Sequence, residues 1–317
     1  VIVSEQELQN ALMNRMRQFP GQEKMVIDYY RRNPAAMMEL RGPIFEQKVV
    51  DAIRRIAHLD TPVAPLLAAP ESLGYRNRAI IPLERLQDGR LRAGFYRRGT
   101  HTIVNMNHCP VLDPRLDSLI ALLKADLEAS DWPVDRDFQE GGGLRHLALR
   151  LGNHSGDVLI ALGGPRAELE GLEILAAAWM QRWPEVVGVC LNLQPLATNT
   201  LMGPETRVVA GRGWVEERFS GLTLQIAADT FFQVHTRQAE RVVPLVLAAL
   251  EPVPTGVMVD AYCGIGTYTL PVAAAGWQVH GIELSAGSQN LQGYRTDPSQ
   301  TLGQIQYYGL LVPLGKN

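Results

Sequence analysis

The sequence predicts an α/β chain in three parts: an α-helical N-terminal appendage, a β-rich middle, and a closing strand–turn–helix–strand unit of the parallel, nucleoside-binding type. Three observations carry this. Apolar residues recur at helical spacing through the first fifty positions, and period-two alternation runs from Tyr75 to Leu116. Val257 to Ser285 reads as an apolar run, a glycine turn, a helix and a second apolar run ending at Glu283.

Composition bounds the reading. At 317 residues there is room for two or three domains, each able to bury its own core. The formal net charge of −3 means that a nucleic-acid partner has to be held by a local basic face and not by the overall field. Three cysteines, Cys109, Cys190 and Cys263, make neither a disulfide framework nor a C-x-x-C metal pair, which points to a reducing, cytoplasmic setting. No run approaches the roughly 18 to 20 uninterrupted apolar residues of a membrane span. The start lacks the basic and apolar blocks of a signal peptide, so no membrane partner is expected.

In chain order, Ser4 with Glu7 forms a capping-box pattern ahead of Leu8, Leu12, Met16 and Phe19 on one helical face. Pro20-Gly21 breaks that helix. A second runs from Gln22 to Arg32 and stops before Asn33-Pro34; a short third runs to Leu40. After Gly42-Pro43 an amphipathic helix with Phe45, Val49, Ile53 and Ile56 on one face continues to about Ala57. The words VSEQELQNALMNRMRQFPGQEKMVIDYYRRNP and ELRGPIFEQKVVD, from Val3 to about Asp51, resemble the end of the C-terminal helical domain of trigger factor, the ribosome-associated folding chaperone. That resemblance implies nascent chains or the ribosome as partners, with Met13, Met16, Met25, Met37 and Met38 as adaptable apolar contacts. The alternative is that these methionines pack helix on helix.

The middle begins after a proline-rich connection at about Thr61. Asp88-Gly89 marks a hairpin turn, and Gly94 to Val104 is rich in β-formers. Between Tyr75 and His108 stand Arg76, Arg78, Arg85, Arg90, Arg92, Arg97 and Arg98 against Glu84 and Asp88, an excess of five positive charges. With Tyr75, Phe95 and Tyr96 interleaved, this is the composition of an RNA-binding surface, where guanidinium groups meet phosphates and rings stack on splayed bases. A solvated basic face is the rival. LRHLALRLG, DVLIALGG and VVGVCLNLQP read as further strands. Asn199 to Glu240 gives a turn, a strand at Leu222 to Ala227, and ADTFFQVHTRQAERVV entering a helix.

In the last part, a strand delivers Asp260 and Tyr262 into a turn with Gly264 and Gly266, where a ligand can approach bare backbone. Glu283 lies where a ribose diol is gripped. Thr269 occupies the third glycine position of the dinucleotide fingerprint, and no pyrophosphate has to be accommodated, so S-adenosylmethionine (SAM) fits better than NAD. The alternative is a plain strand–turn–helix in an α/β core.

Taken together, YRNR, GFYRRGTHTIV, HCPVLDPRL, LRHLALR, TNTLMGPETR, DTFFQVHTRQAE and DAYCGIGTYTLPVA resemble, in order, the bacterial RNA uracil-5-methyltransferases from about Gln47 to Ser285. The resemblance implies a Rossmann-like SAM-binding domain preceded by a β-rich RNA-contacting domain. On this chain that gives a helical segment 1–57, an RNA-contacting domain 61–215 and a SAM-binding domain 216–317. It implies Gln233, Tyr262 and Glu283 along the SAM pocket, with Asp260 orienting the glycine turn. It also implies RNA, ribosomal or transfer, as partner, for which Tyr75, Arg76, Arg78, Arg97, Arg98, Arg145 and His146 are the candidate contacts; for His146 a satisfied strand histidine is the alternative. Phe231 and Phe232 are expected in the core.

The reaction so implied needs a cysteine thiolate to add to carbon-6 of uracil, so that carbon-5 attacks the SAM methyl group and a carboxylate then takes the carbon-5 proton. The family's Ser-Cys-Asn/Asp-Pro loop and late carboxylate have no counterpart after Glu283, so the SAM-binding segment is expected to be truncated and the chain inactive by itself, with no catalytic residue assigned. Cys190 reads as an inert core thiol and Cys263 as packing. Cys109 matches the last ligand of an iron–sulfur cluster, but no cysteine precedes it, so neither cluster nor metal is expected. His101, His108 and His235 lack metal-ligand spacing. The tail after Glu283 has turn character and is not expected to add strands. The alternative function is a non-enzymatic RNA-binding, chaperone-like fusion module.

Overall fold

A computed structural model describes residues 2–58, 66–100, 102–134, 142–196, 200–250, 256–283 and 305–309. The chain divides into two compact units, Val1–Ser72 and Leu73–Asn317.

The first unit is helical. α1 (Glu5–Met16) opens on the expected capping box: Ser4 Oγ accepts from the Glu7 N–H, and the Glu7 carboxylate accepts from the Ser4 N–H at 2.7 Å. α2 (Glu23–Arg32) buries Val26 and Tyr30 against Ala36, with Leu12, Met16, Met37 and Leu40 packed around them. Met16 and Met37 are therefore packing residues, whereas Met13 and Met25 are exposed; the Met38 side chain lies outside the described set. α3 (Pro34–Ala57) corrects the sequence reading, which placed a break at Gly42-Pro43: one helix runs straight through Pro43. The residue before a proline resists the helical region partly because its Cβ clashes with the ring, and Gly42 has no Cβ. Lys48 of α3 reaches Glu7 of α1 at 2.7 Å.

The second unit is built on a seven-stranded sheet in the order β3-β2-β1-β4-β5-β6-β7. Its strands are β1 (Arg78–Arg85), β2 (Leu91–Tyr96), β3 (Ile103–Asn105), β4 (His146–Leu151), β5 (Val158–Gly164), β6 (Val186–Leu193) and β7 (Glu205–Gly211). All neighbours are antiparallel except β5 and β6. α4 (Pro114–Ala129) and α5 (Leu172–Arg182) cover one face, burying Leu116, Ile120, Leu123 and Trp179 against Ile81, Leu147 and Ile160. The hairpin β8 (Trp214–Phe219) and β9 (Leu222–Ala227), with α6 (Thr236–Ala249), covers the other through Phe219, Leu224, Phe232 and Val243. That double cover is why β4 and β5 are buried at every position instead of alternating.

A second, parallel sheet follows: β10 (Val257–Asp260), β11 (Gln278–Glu283) and β12 (Ile305–Gly309), with α7 (Thr269–Ala274) crossing from β10 to β11. The expected strand–helix alternation and parallel pairing are present. The tail reading is corrected, because β12 adds a third strand; its Ile305, Tyr307 and Tyr308 are strong β-formers. α6 joins the two sheets, with Val246, Leu247 and Leu250 packing on Val272, Val279 and Met258. Among the described residues no helix is long and apolar enough to cross a membrane.

Candidate functional site

The glycine turn closes on the end of β11. Gly264 and Gly266 hold φ of +53° and +88°, a region open to glycine at no steric cost, and open space lies where a Cβ on Gly264 would stand. The Gly264 N–H donates to Glu283 Oε2 at 2.9 Å, and the Cys263 N–H donates to the Ile282 carbonyl at 3.2 Å. The carboxylate ending the second parallel strand thus faces the bare-backbone bend that ends the first, as the sequence reading requires. Asp260 Oδ2 accepts from Thr269 Oγ1 at 2.7 Å, so this carboxylate pins the first residue of α7 and shapes the turn. Tyr262 stands 92% exposed beside it, a free ring at the rim.

Gln233 sits half-buried in the loop before α6, held through its backbone: its carbonyl accepts from Asn77 Nδ2 at 3.0 Å. Asn77, fully buried, also donates Nδ2 to Thr236 Oγ1 and its N–H to the Val234 carbonyl. Thr236 in turn donates to Glu217, a buried carboxylate that also takes N–H groups from Asn153, His154 and Arg218. Asn77 and Thr269 were missed by sequence reasoning. Asn77 hides inside YRNR, where charge dominates the reading, and Thr269 was noted only as a missing glycine. Phe232 and Ile265 share one core, which brings the FFQ loop and the glycine turn onto the same packing cluster. Phe231 corrects expectation: it is exposed, and only Phe232 is core.

The residues read as RNA contacts separate into two groups. Arg97 and Arg98 are exposed at the β2–β3 connection, and among the described residues neither has an ion pair. The rest make contacts within the fold: Tyr75, Arg76 and Arg78 are half-buried, and Arg145 and His146 are buried and so do not lie on the surface expected of them. Tyr75 stacks on His235, with ring centroids 4.5 Å apart, leaving one face already covered. Arg76 Nε donates to the Arg78 carbonyl and Arg78 donates to the Ala228 carbonyl at 3.2 Å. Arg145 is buried, with its guanidinium on the Leu196 carbonyl. His146 is fully buried against Gly163, whose added Cβ would lie 2.0 Å from Nε2; burial, with Arg145 and Arg78 nearby, pushes its pKa down to about 4. An uncharged, enclosed imidazole offers nothing to a phosphate.

Burial raises the Cys190 thiol to about 12, with the Asp229 charge adding to it, so no thiolate forms there near neutral pH. Cys263 is buried in the turn, and Cys109 is half-buried with its N–H on Asp117 Oδ1. His108 also pairs with Asp117, and His235 Nδ1 accepts from the Gln238 N–H; His101 lies outside the described residues. Among the described residues no cluster of three or more His, Cys, Asp or Glu could hold a metal ion.

Comparison with known proteins finds likenesses of two kinds in this chain. Residues 1–54 match the family model described as bacterial trigger factor protein C-terminus. An uncharacterized RNA methyltransferase of Parasynechococcus marenigrum (strain WH8102) is 49% identical over 235 residues, covering 74% of this chain and 50% of that protein. Another from Synechocystis sp. is 40% identical over 263 residues, covering 83% and 57%. The chain spans about half the length of the curated relatives it matches. Among solved structures, a Pyrococcus abyssi tRNA (uracil-54, C5)-methyltransferase in complex with S-adenosyl-L-homocysteine superposes with a TM-score of 0.61 at 20% identity, covering 81% of this chain and 59% of that one. The likeness shows a shared fold.

Proposed function

From a chain whose first residues match the trigger factor C-terminus and whose larger part is homologous to proteins named RNA methyltransferase, we propose that the second unit binds SAM at the glycine turn and presents RNA for methylation at uridine carbon-5, in ribosomal or transfer RNA. The observation that carries this is the hydrogen bond from the Gly264 N–H to Glu283 between adjacent parallel strands. It sets a carboxylate acceptor for two ribose hydroxyls against backbone that a nucleoside can approach closely. The structural relative bound to S-adenosyl-L-homocysteine supports the same ligand class.

In this reading Glu283 holds the ribose, Gly264 and Gly266 admit the ligand, Asp260 fixes the turn through Thr269, Tyr262 lies beside the cofactor and Gln233 faces its methionine end. SAM, when bound, supplies an electrophilic methyl group. The domain division at 61–215 for RNA contact and 216–317 for SAM belongs to the same proposal. So does the view that this chain alone does not complete the transfer: uracil carbon-6 needs a thiolate, and the three thiols here are a buried one raised to about 12, a buried one in the turn and a half-buried one beside Asp117.

Incubation with methyl-labelled SAM and unmodified tRNA and rRNA transcripts tests this. The expected outcome is retention of both ligands without labelled RNA. Transfer that survives replacement of Cys109, Cys190 and Cys263 by serine contradicts the thiolate chemistry. A second reading, that the helical unit binds unfolded chains, rests on exposed Met13 and Met25 in a segment matching trigger factor. Protection of an aggregating client by the chain, lost on Met13→Ser with Met25→Ser, tests it.

A further inference from the structure

We propose that the RNA track on this chain is the β2–β3 edge of the large sheet and its continuation beside α4, and not the arginine-rich start of β1. The inference rests on the RNA reading above and adds its location. Of the seven arginines in the basic segment, five are engaged. Arg76 and Arg78 hold backbone carbonyls, Arg85 caps α4, Arg90 pairs with Asp88 at 2.7 Å and Arg92 with Glu84 at 3.6 Å. Arg97 and Arg98 are left at the connection between β2 and β3, at the outer edge of the sheet.

Apolar surface of the right kind adjoins them. Phe95 and Tyr96 are 44% and 42% exposed, and Val104, paired with Phe95 across the strands, is 50% exposed. Phe95 and Val104 share one face of this hairpin, and Arg97 follows two residues on in the same strand direction, so an exposed ring stands next to a cation. Planar rings beside cations are what single-stranded RNA requires, because bases stack on the ring while phosphates meet the charge. One pair further along the same ladder, Asn105 opposes Gly94 and lines a cavity of about 400 Å³ between this edge and α4. There Lys124 Nζ donates to Asn105 Oδ1 at 3.0 Å and Asn107 Oδ1 at 3.3 Å, both neutral oxygens. Glu128, on the cavity wall, accepts from the Leu91 N–H at 2.6 Å through Oε2 and makes no ion pair with Lys124. Lys124, Arg97 and Arg98 are therefore cations with no acidic partner among the described residues, set near one strand edge with the exposed Phe95 ring beside them. Charge complementarity selects a polyanion, and the rings select one with unstacked bases.

Fluorescence anisotropy with an oligouridylate of roughly a dozen nucleotides, titrated over a range of salt, reads the track directly. Arg97→Ala with Arg98→Ala is expected to weaken binding at least tenfold and to flatten the slope of log K against log salt by about 1.4, the share of two single-strand phosphate contacts. Phe95→Ala is expected to weaken binding about tenfold with the salt slope unchanged, since stacking is not ionic. Lys124→Ala is expected to lower the slope by about 0.7. Arg54→Ala with Arg55→Ala removes the same charge from the helical unit and is expected to change nothing. Binding that falls equally in that control, or that ignores the Arg97, Arg98 and Phe95 changes, overturns the location while leaving RNA binding intact. No binding by the unaltered chain overturns the RNA reading itself. Circular dichroism of each variant separates a lost contact from a lost fold.

Discussion

His146 shows at one residue how a charged-looking word can hide a core position. It stands beside Arg145 in LRHLALR, yet both ring nitrogens are buried with no hydrogen-bond partner among the described residues, and its pKa is pushed down to about 4. The unfolded chain takes up a proton near pH 6.5, the folded chain only near pH 4. Between those values the unfolded state therefore binds more protons, and stability falls as pH drops through the window, by about 3 kcal/mol at its lower end. His146→Leu is expected to remove that slope and to leave stability at pH 7 within about 1 kcal/mol, because the replacement is apolar and of similar size. Urea denaturation at several pH values checks this; a slope that survives the substitution places the titration elsewhere. Side-chain identity made His146 legible as polar, but only the facing Gly163 and the cover over that side of the sheet decide that it is enclosed.

Arg85 carries the same lesson at the scale of an element. Its guanidinium donates to the carbonyls of Leu127, Glu128, Ser130 and Trp132 at 3.2 to 3.4 Å and to Gly89 at 2.9 Å, satisfying the orphan acceptors at the end of α4. A cation at a helix C-terminus is favourable in its own right. Arg85→Ala is expected to cost about 2 to 3 kcal/mol, with Arg85→Lys recovering part, read from denaturant midpoints. A loss below about 0.5 kcal/mol returns Arg85 to the solvated surface. Strands were the more legible elements: the runs around β4, β5, β6 and β9 are apolar stretches bounded by turns, and β10 and β11 flank a glycine pattern. α4 and α5 were not legible, because α5 carries apolar residues on several sides and α4 follows directly on a β-rich segment. The helix through Gly42-Pro43 was misread because punctuation by Gly-Pro is the stronger local signal.

For the molecule as a whole, the fold class and the geometry of the glycine turn were open to reading, and which arginines stay exposed was not. Asp260, Gly264, Gly266 and Glu283 lie within one short segment, so local spacing alone brings them together. A surface for RNA depends instead on which of many arginines the fold leaves over after capping, pairing and burial, and that is decided by contacts far apart in sequence, such as Arg78 with Ala228 and Arg85 with Leu127. The three-stranded parallel sheet leaves Val257 and Val259 of β10 exposed, so the glycine turn has to keep its shape through Thr269, Ile265 and the hydrogen bond to Glu283. Isothermal titration of the intact chain with SAM tests this claim most directly. The account expects one site per chain, with binding weakened about tenfold to a hundredfold by Glu283→Ala. Glu283→Gln, which keeps an acceptor for the Gly264 N–H, should fall between them. An absence of heat with the unaltered chain, or a Glu283→Ala variant that binds equally well, contradicts it.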